Sequence, residues 1–292
     1  MPQDRASSRD RTAQIKLVLL GLLVANLVVV GAKFVIGTST GSLAVLGDVV
    51  HSAVDAMNNV LALAVTAIAS KAPDEDHPYG HAKFETLGAL AIVVFLSISG
   101  FELVRGAVQR LVSGALPLEV TNTEVGILGG TLVINTIVAA YESRRGKELR
   151  SDLLLADATH TKADVAITTG VLASLLLSRA GFGLADPVVA LLVSAVIVAL
   201  AYSIVRRSVP ILVDKQVAPT TRIRAAAEHV SGVERAYHIR SRGSPEQLFA
   251  ELTIAVDGQA SVEAAHEIAD AVELRLRAEL QFTEIVVHVE PC

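Results

Sequence analysis

Six mostly apolar stretches run along the chain as far as residue 207: about 15–36, 42–70, 82–111, 122–142, 152–179 and 185–207. A helix needs roughly 20 residues to cross a bilayer, so each stretch predicts one membrane span. The first, fourth and sixth are the cleanest, and 188–205 reads VVALLVSAVIVALAYSIV. The second, third and fifth carry polar residues among the apolar ones. After about residue 208 the hydrophobicity drops and the pattern changes. The spacing predicts a helix over 220–231, strands over 235–241 and 247–256, a helix over 261–279 and a strand over 283–289. TRIRAAAEHV places its apolar residues at helical spacing, whereas FAELTIAV and TEIVVHVE alternate or run apolar with β-branched residues, as strands do. The expected fold class is therefore an α-helical membrane protein. A polar tail over 1–14 precedes six transmembrane helices over 15–208, and a small α+β domain of αββαβ order follows over 209–292.

Composition agrees with this reading. Of 292 residues, 52% are hydrophobic, and the mean hydropathy is +0.52. Soluble domains are rarely so apolar. The net charge of -5 is small, and no basic tract points to nucleic acid. The single cysteine, Cys292, excludes a disulfide within the chain and a cysteine-rich zinc site. The polar, basic start is followed by an apolar stretch too long for a signal peptide, so the first span is read as retained.

Lys and Arg set the orientation. Arg5, Arg9, Arg11 and Lys16 precede the first span, and Lys71 and Lys83 follow the second. Arg144, Arg145, Lys147 and Arg150 follow the fourth, and Arg206, Arg207 and Lys215 follow the sixth. With six spans all of these share one side, which places both termini in the cytoplasm. Arg105 and Arg110, near the far end of the third span, run against the trend.

The candidate chemistry lies inside the spans. GDVVHSAVDA holds Asp48, His51 and Asp55, and ADATHTKADV holds Asp157, His160 and Asp164. Positions i, i+3 and i+7 of a helix share a face, so each span turns one imidazole and two carboxylates the same way. Ionisable groups in a membrane are costly and mark function. One such set is accounted for by hydrogen bonds between helices; the same set on two helices calls for more. His51, Asp55, His160 and Asp164 offer two nitrogen and two oxygen ligands, the count and chemistry of a tetrahedral divalent-metal site. Asp48 and Asp157, about a turn away, are expected to orient the imidazoles or line the access route.

A second group, Asp74, His77 and His81, lies in the turn-rich loop APDEDHPYGHAKFE. The tail adds His229, His238, His266, His288 and Glu290, of which His288 and Glu290 share one face of a strand. HEIAD (266–270) begins like a H-E-x-x-H protease motif but has Asp at position 270.

These features together resemble the cation diffusion facilitator family over nearly the whole chain. The resemblance rests on SLAVLGDVVHSAVD, HPYGHAKFETL, ADATHTKADV and VVHVEPC. It implies a homodimeric six-span exporter of divalent metal, Zn²⁺ first, driven by protons, with a ferredoxin-like cytoplasmic domain. It implies no enzymatic reaction and no organic cofactor. The implied membrane is the bacterial cytoplasmic one. The transport site would be His51, Asp55, His160 and Asp164, and Asp74, His77 and His81 would form a loop site. Lys83 and Asp214 match a charged pair that joins the third and sixth helices. His238, His266, His288 and Glu290 match metal-ligand positions of the cytoplasmic domain. The chain departs from the zinc members at Thr253, where they carry His, and at Glu290, where they often carry Asp. Three alternatives stand beside this reading: an Mn²⁺ or Fe²⁺ exporter, a membrane sensor that binds metal without moving it, and an intramembrane metallohydrolase.

Overall fold

The structure is a computed structural model that describes the backbone except at residues 1, 41–42, 114–121, 180–181, 183–184 and 245–246. The side chains of 2–9, 33, 36–37, 39–40, 43–52, 54, 113, 122–124, 127, 175, 178–179 and 185–186 also lie outside the described residues. The chain divides into two compact units, Met1–Ser208 and Val209–Cys292.

The first unit is built from α1 (Pro2–Thr40), α2 (Leu43–Ala69), α3 (Lys83–Ser113), α4 (Asn122–Glu148), α5 (Asp152–Arg179) and all but the last four residues of α6 (Ala185–Leu212). Each predicted stretch is one helix, but three run further into the polar flanks. α1 begins at Pro2 and takes in most of the polar stretch 1–14. Proline is tolerated in a first helical turn, and nothing in RASSRDRTAQ breaks a helix. α4 continues to Glu148, where Arg144 and Arg145 reach the Glu148 carboxylate at 2.9 and 2.8 Å. α6 continues through Pro210 to Leu212.

α1 packs on α2, α4 on α5, and α3 on both α2 and α5. Leu19, Ile92, Leu96, Leu153, Leu154, Ile197 and Ile204 are fully buried between the helices. Gly88 permits the close approach of α3 to its neighbours. A Cβ there would stand 2.6 Å from Val65 Cγ1 and 3.2 Å from Leu153 Cδ1. The outer surface is apolar as well, with Leu17, Phe101, Val112, Ile137, Leu192 and Val198 exposed. Apolar surface on this scale belongs against lipid. Among the described residues, three helical stretches are long and apolar enough to cross a membrane: Asp10–Ala32, Lys83–Val112 and Pro187–Leu212. In α2 the apolar part among the described residues is the shorter Asp55–Ala69.

The second unit contains α7 (Thr220–Glu228), β1 (Arg235–Ser244), β2 (Gln247–Val256), α8 (Val262–Leu280) and β3 (Glu284–Pro291). These follow the predicted elements in order and to within a few residues. The sheet runs β1-β2-β3, with β2 antiparallel to β1 and parallel to β3. The parallel pair requires a crossover, which α8 supplies. Ser261 caps α8 by accepting a hydrogen bond from Ala264 N at 3.1 Å, and Gln281 ends the helix at a φ of 58°. Leu252, Ile254 and Val256 of β2 join Ile223, Val272 and Leu276 of the helices in a core of their own.

Candidate metal centre

α2 and α5 bring Asp55, His160 and Asp164 together. One ligand atom from each lies within 4.8 Å of the other two. His160 Nε2 stands 3.2 Å from Asp55 Oδ1 and 3.9 Å from Asp164 Oδ2. His160 and Asp164 are four residues apart, so one turn of α5 stacks them on one face. His160 and Asp164 are buried and Asp55 is half-buried. The surrounding apolar helices lower the local dielectric, which strengthens the pull of this group on any cation.

The side chains of His51 and Asp48 lie outside the described residues. Asp157 is buried one turn before His160, and its Oδ2 has no hydrogen-bond partner among the described residues. Its carboxylate is within electrostatic reach of His160, Asp55 and Asp164.

Two polar residues that the sequence did not single out border the same place, Asn58 of α2 and Glu142 of α4. Asn58 and Asn59 are buried on α2, and the Asn58 side-chain nitrogen lies 3.3 Å from His160 Nε2. Glu142 of α4 is only 2% exposed and accepts a hydrogen bond from the Thr161 hydroxyl at 3.0 Å. It too is within electrostatic reach of Asp157, His160 and Asp164. Its signal was present in the sequence, as a carboxylate at the edge of an otherwise apolar stretch. Asn58 gave a weaker one, three residues beyond Asp55.

The loop group also assembles. Asp74, His77 and His81 place their ligand atoms within 4.8 Å of one another. Asp74 Oδ1 accepts from His77 N at 2.7 Å, and Asp74 Oδ2 lies 3.3 Å from His81 Nε2. Gly80 turns the chain back at a φ of 82°, and its amide donates to His77 O at 2.9 Å. The imidazoles of His77 and His81 lie 4.3 Å apart, and His81 stacks on Phe84. The hydrogen bond from His77 N holds the Asp74 carboxyl below the usual Asp range. Asp74 thus stays ionised as the pH falls through its usual range. Whatever the ionised carboxylate contributes to the loop is present above the usual Asp pKa and fades as the pH falls through the lowered one.

In the second unit the residues are spread out. His266 lies on the outer side of α8, 76% exposed and 3.7 Å from Asp270. His288 Nε2 is 3.4 Å from Glu290 Oε1 on β3. Glu290 also accepts the Tyr237 hydroxyl, which raises the Tyr237 pKa. His238 sits at an irregularity of β1 with a φ of 50°. The structure thus joins His288 with Glu290 and does not gather His238 or His266 to them. Thr253 is buried in β2, in register with Tyr237 and His288. Lys83 opens α3, and Asp214 lies 3.5 Å from Arg242.

Comparison with known proteins matches this arrangement. The cation efflux transmembrane domain matches residues 19–213, and the cation efflux protein cytoplasmic domain matches 219–292. An uncharacterized transporter of Methanocaldococcus jannaschii is 29% identical over 95% of this chain and 98% of its own. The cation-efflux pump FieF of Shewanella oneidensis is 27% identical over 95% of this chain and 94% of its own. The manganese efflux system protein MneP of Bacillus subtilis is 28% identical over 98% of both chains. Two family domains in sequence cover nearly the whole chain, and the buried Asp-His-Asp group lies within the first of them. The chain is therefore a membrane transporter of the cation efflux, or cation diffusion facilitator, family, and its substrate is a divalent metal ion.

Proposed function

We propose that this protein exports Zn²⁺ from the cytoplasm in exchange for protons, as a homodimer of six-span subunits with cytoplasmic termini. The supporting observation is the convergence of Asp55, His160 and Asp164 from two helices of an apolar unit. With His51 they make two nitrogen and two oxygen donors, a set that suits tetrahedral Zn²⁺. Carboxylates and imidazoles bind metal only when deprotonated, so loading the site from the cytoplasm releases protons. Facing the more acidic side, the same groups take protons back and the metal leaves. Rocking of helices about a fixed site gives each side access in turn. Asp74, His77 and His81 offer a metal a first stop on the cytoplasmic side. The second unit, matched by the family's cytoplasmic domain, carries the contacts between subunits.

A second reading is export of Mn²⁺ or Fe²⁺. The resemblance to a manganese efflux protein and the buried oxygen donor of Asp157 favour it. Oxygen-rich sites take these harder ions. Purified protein in sealed vesicles, loaded with a pH indicator, separates the readings. Zn²⁺ should drive proton flux at lower concentration than Mn²⁺, Fe²⁺, Co²⁺ or Cd²⁺. Proton flux without metal movement, or metal binding without flux, would remove the antiport reading.

The cytoplasmic unit gives an independent prediction. The fragment 209–292 should fold without metal, because it has a core of its own. Zinc should raise its melting temperature only modestly. Thr253 supplies no imidazole, and Glu290 is already engaged by Tyr237. A weak ligand stabilises little at moderate concentration. Calorimetry that finds two or more tightly bound zinc ions per fragment would refute this.

A further inference from the structure

Asn58 follows Asp55 by three residues on α2 and is 3% exposed. Its side-chain nitrogen is 3.3 Å from His160 Nε2, and its side-chain oxygen has no partner among the described residues. His160 Nε2 is thus the meeting point of three side chains: Asp55 Oδ1 at 3.2 Å, Asn58 at 3.3 Å and Asp164 Oδ2 at 3.9 Å.

With the Asn58 nitrogen toward the ring, no single protonation state suits all three contacts. A protonated Nε2 donates to Asp55 but then faces the Asn58 amino group, which is also a donor. A bare Nε2 accepts from Asn58 but turns its lone pair toward the Asp55 carboxylate. Turning the amide over exchanges its oxygen and nitrogen at nearly the same positions. Asn58 Oδ1 then joins Asp55 Oδ1 and Asp164 Oδ2 as acceptors around His160 Nε2: a proton on Nε2 serves them in the empty site, and a cation bound by all four takes its place in the loaded one.

We propose that the Asn58 amide oxygen is a direct ligand of the transported ion and tilts the site toward harder divalent cations. The proposal rests on the metal-transport reading of the same site. Its chemical content is specific. An amide oxygen is a neutral hard donor, so it adds affinity without adding an exchangeable proton. With Asp55, His160 and Asp164 it makes a set of three oxygens and one nitrogen. Adding His51 makes five donors: the two imidazoles keep Zn²⁺ the first choice, and the added oxygen admits Mn²⁺ beside it.

The test uses the full-length protein in vesicles, with Asn58→Ala and Asn58→Asp beside the wild type, and Zn²⁺ and Mn²⁺ as substrates. Asn58→Ala should weaken the apparent Mn²⁺ affinity at least about tenfold, the loss known for groups supporting a metal site. Its effect on Zn²⁺ should be clearly smaller. Asn58→Asp keeps the size and the oxygen, so it should restore Mn²⁺ transport. It should also add pH dependence, because its carboxylate must lose a proton to bind. Equal losses for both ions, with Asn58→Asp no better than Asn58→Ala, would show that Asn58 only positions the His160 ring and would overturn the proposal. An unchanged metal profile in both variants would overturn it equally. Co²⁺ absorption of the detergent-solubilised protein keeps the two readings apart. A wild type that moves no metal refutes the transport reading. A Co²⁺ spectrum that changes between wild type and Asn58→Ala and returns in Asn58→Asp still supports the ligand, and one that is the same in all three rejects it. If Asn58→Ala does not fold, the isosteric Asn58→Asp carries the comparison alone.

Discussion

Replacing Asp55 or Asp164 by Ala should reduce metal transport by more than about 100-fold while the protein stays folded. Loss of groups that merely support a metal ligand already costs 10–100-fold, and in the proposed transport site these two carboxylates are ligands themselves. Each variant removes a negative charge from a buried group whose other members are spaced to share a cation. The fold should survive, because neither carboxylate belongs to the apolar packing that joins the helices. Asp55→Ala also deprives His160 Nε2 of its 3.2 Å neighbour. Asp55→Asn separates the two roles: it keeps an oxygen for that contact and loses the charge. Transport should fail in Asp55→Asn nearly as completely as in Asp55→Ala if the charge holds the metal. Size-exclusion profiles establish the fold, and metal uptake into vesicles gives the rate. Near-normal flux in both Asp55→Ala and Asp164→Ala would refute the site.

The repeated Asp-His-Asp spacing made α2 and α5 readable as a pair before any geometry was known. Two imidazoles and four carboxylates are hard to hide among Val and Leu. The structure brings Asp55, His160 and Asp164 to one point, as one helical face each would predict. Asn58 and Asn59 were not legible in the same way. An amide carries no charge, and buried asparagines serve equally in ordinary contacts between helices. Glu142 sat at the edge of its stretch, where a carboxylate reads as the start of a polar loop. Only the extension of α4 to Glu148 shows that it remains inside a helix, facing Thr161. Helix ends were misjudged for a related reason. Hydrophobicity marks where a helix meets lipid, not where its hydrogen bonding stops, so α1, α4 and α6 all outrun their apolar stretches. In the second unit the elements were plain, but their side-chain neighbours were not. The spacing put His266 on a helix and His288 on a strand, but it did not say that His266 faces outward from α8, 76% exposed.

A network at one end of the first unit should control how firmly α5 is held, and breaking it should cost much stability. Glu85, in the first turn of α3, accepts hydrogen bonds from the Ser151 hydroxyl, from Leu153 N at 3.4 Å and from Arg11 at 3.4 Å. Ser151 is the residue before α5, and its oxygen also accepts from Leu154 N at 3.2 Å. Ser151 and Glu85 therefore satisfy backbone donors of the first turn of α5, and the carboxylate favours the positive end of that helix. Arg11 of α1 completes the set by donating to Leu149 O at 2.7 Å, at the turn between α4 and α5. Glu85 and Arg11 are mostly buried, with side chains 13% and 20% exposed. Removing one partner of such a pair leaves the other charge uncompensated, at a cost of roughly 3 kcal/mol. Glu85→Ala should therefore lower the melting temperature in detergent by several degrees. Arg11→Met should also destabilise, and the double variant should cost less than the sum of the two, since neither charge is then stranded. Because α5 carries His160 and Asp164, Glu85→Ala should also weaken metal binding without changing which metal is preferred. Circular dichroism melting of the single and double variants decides it: a melting temperature unchanged in Glu85→Ala would show that the network does not hold α5.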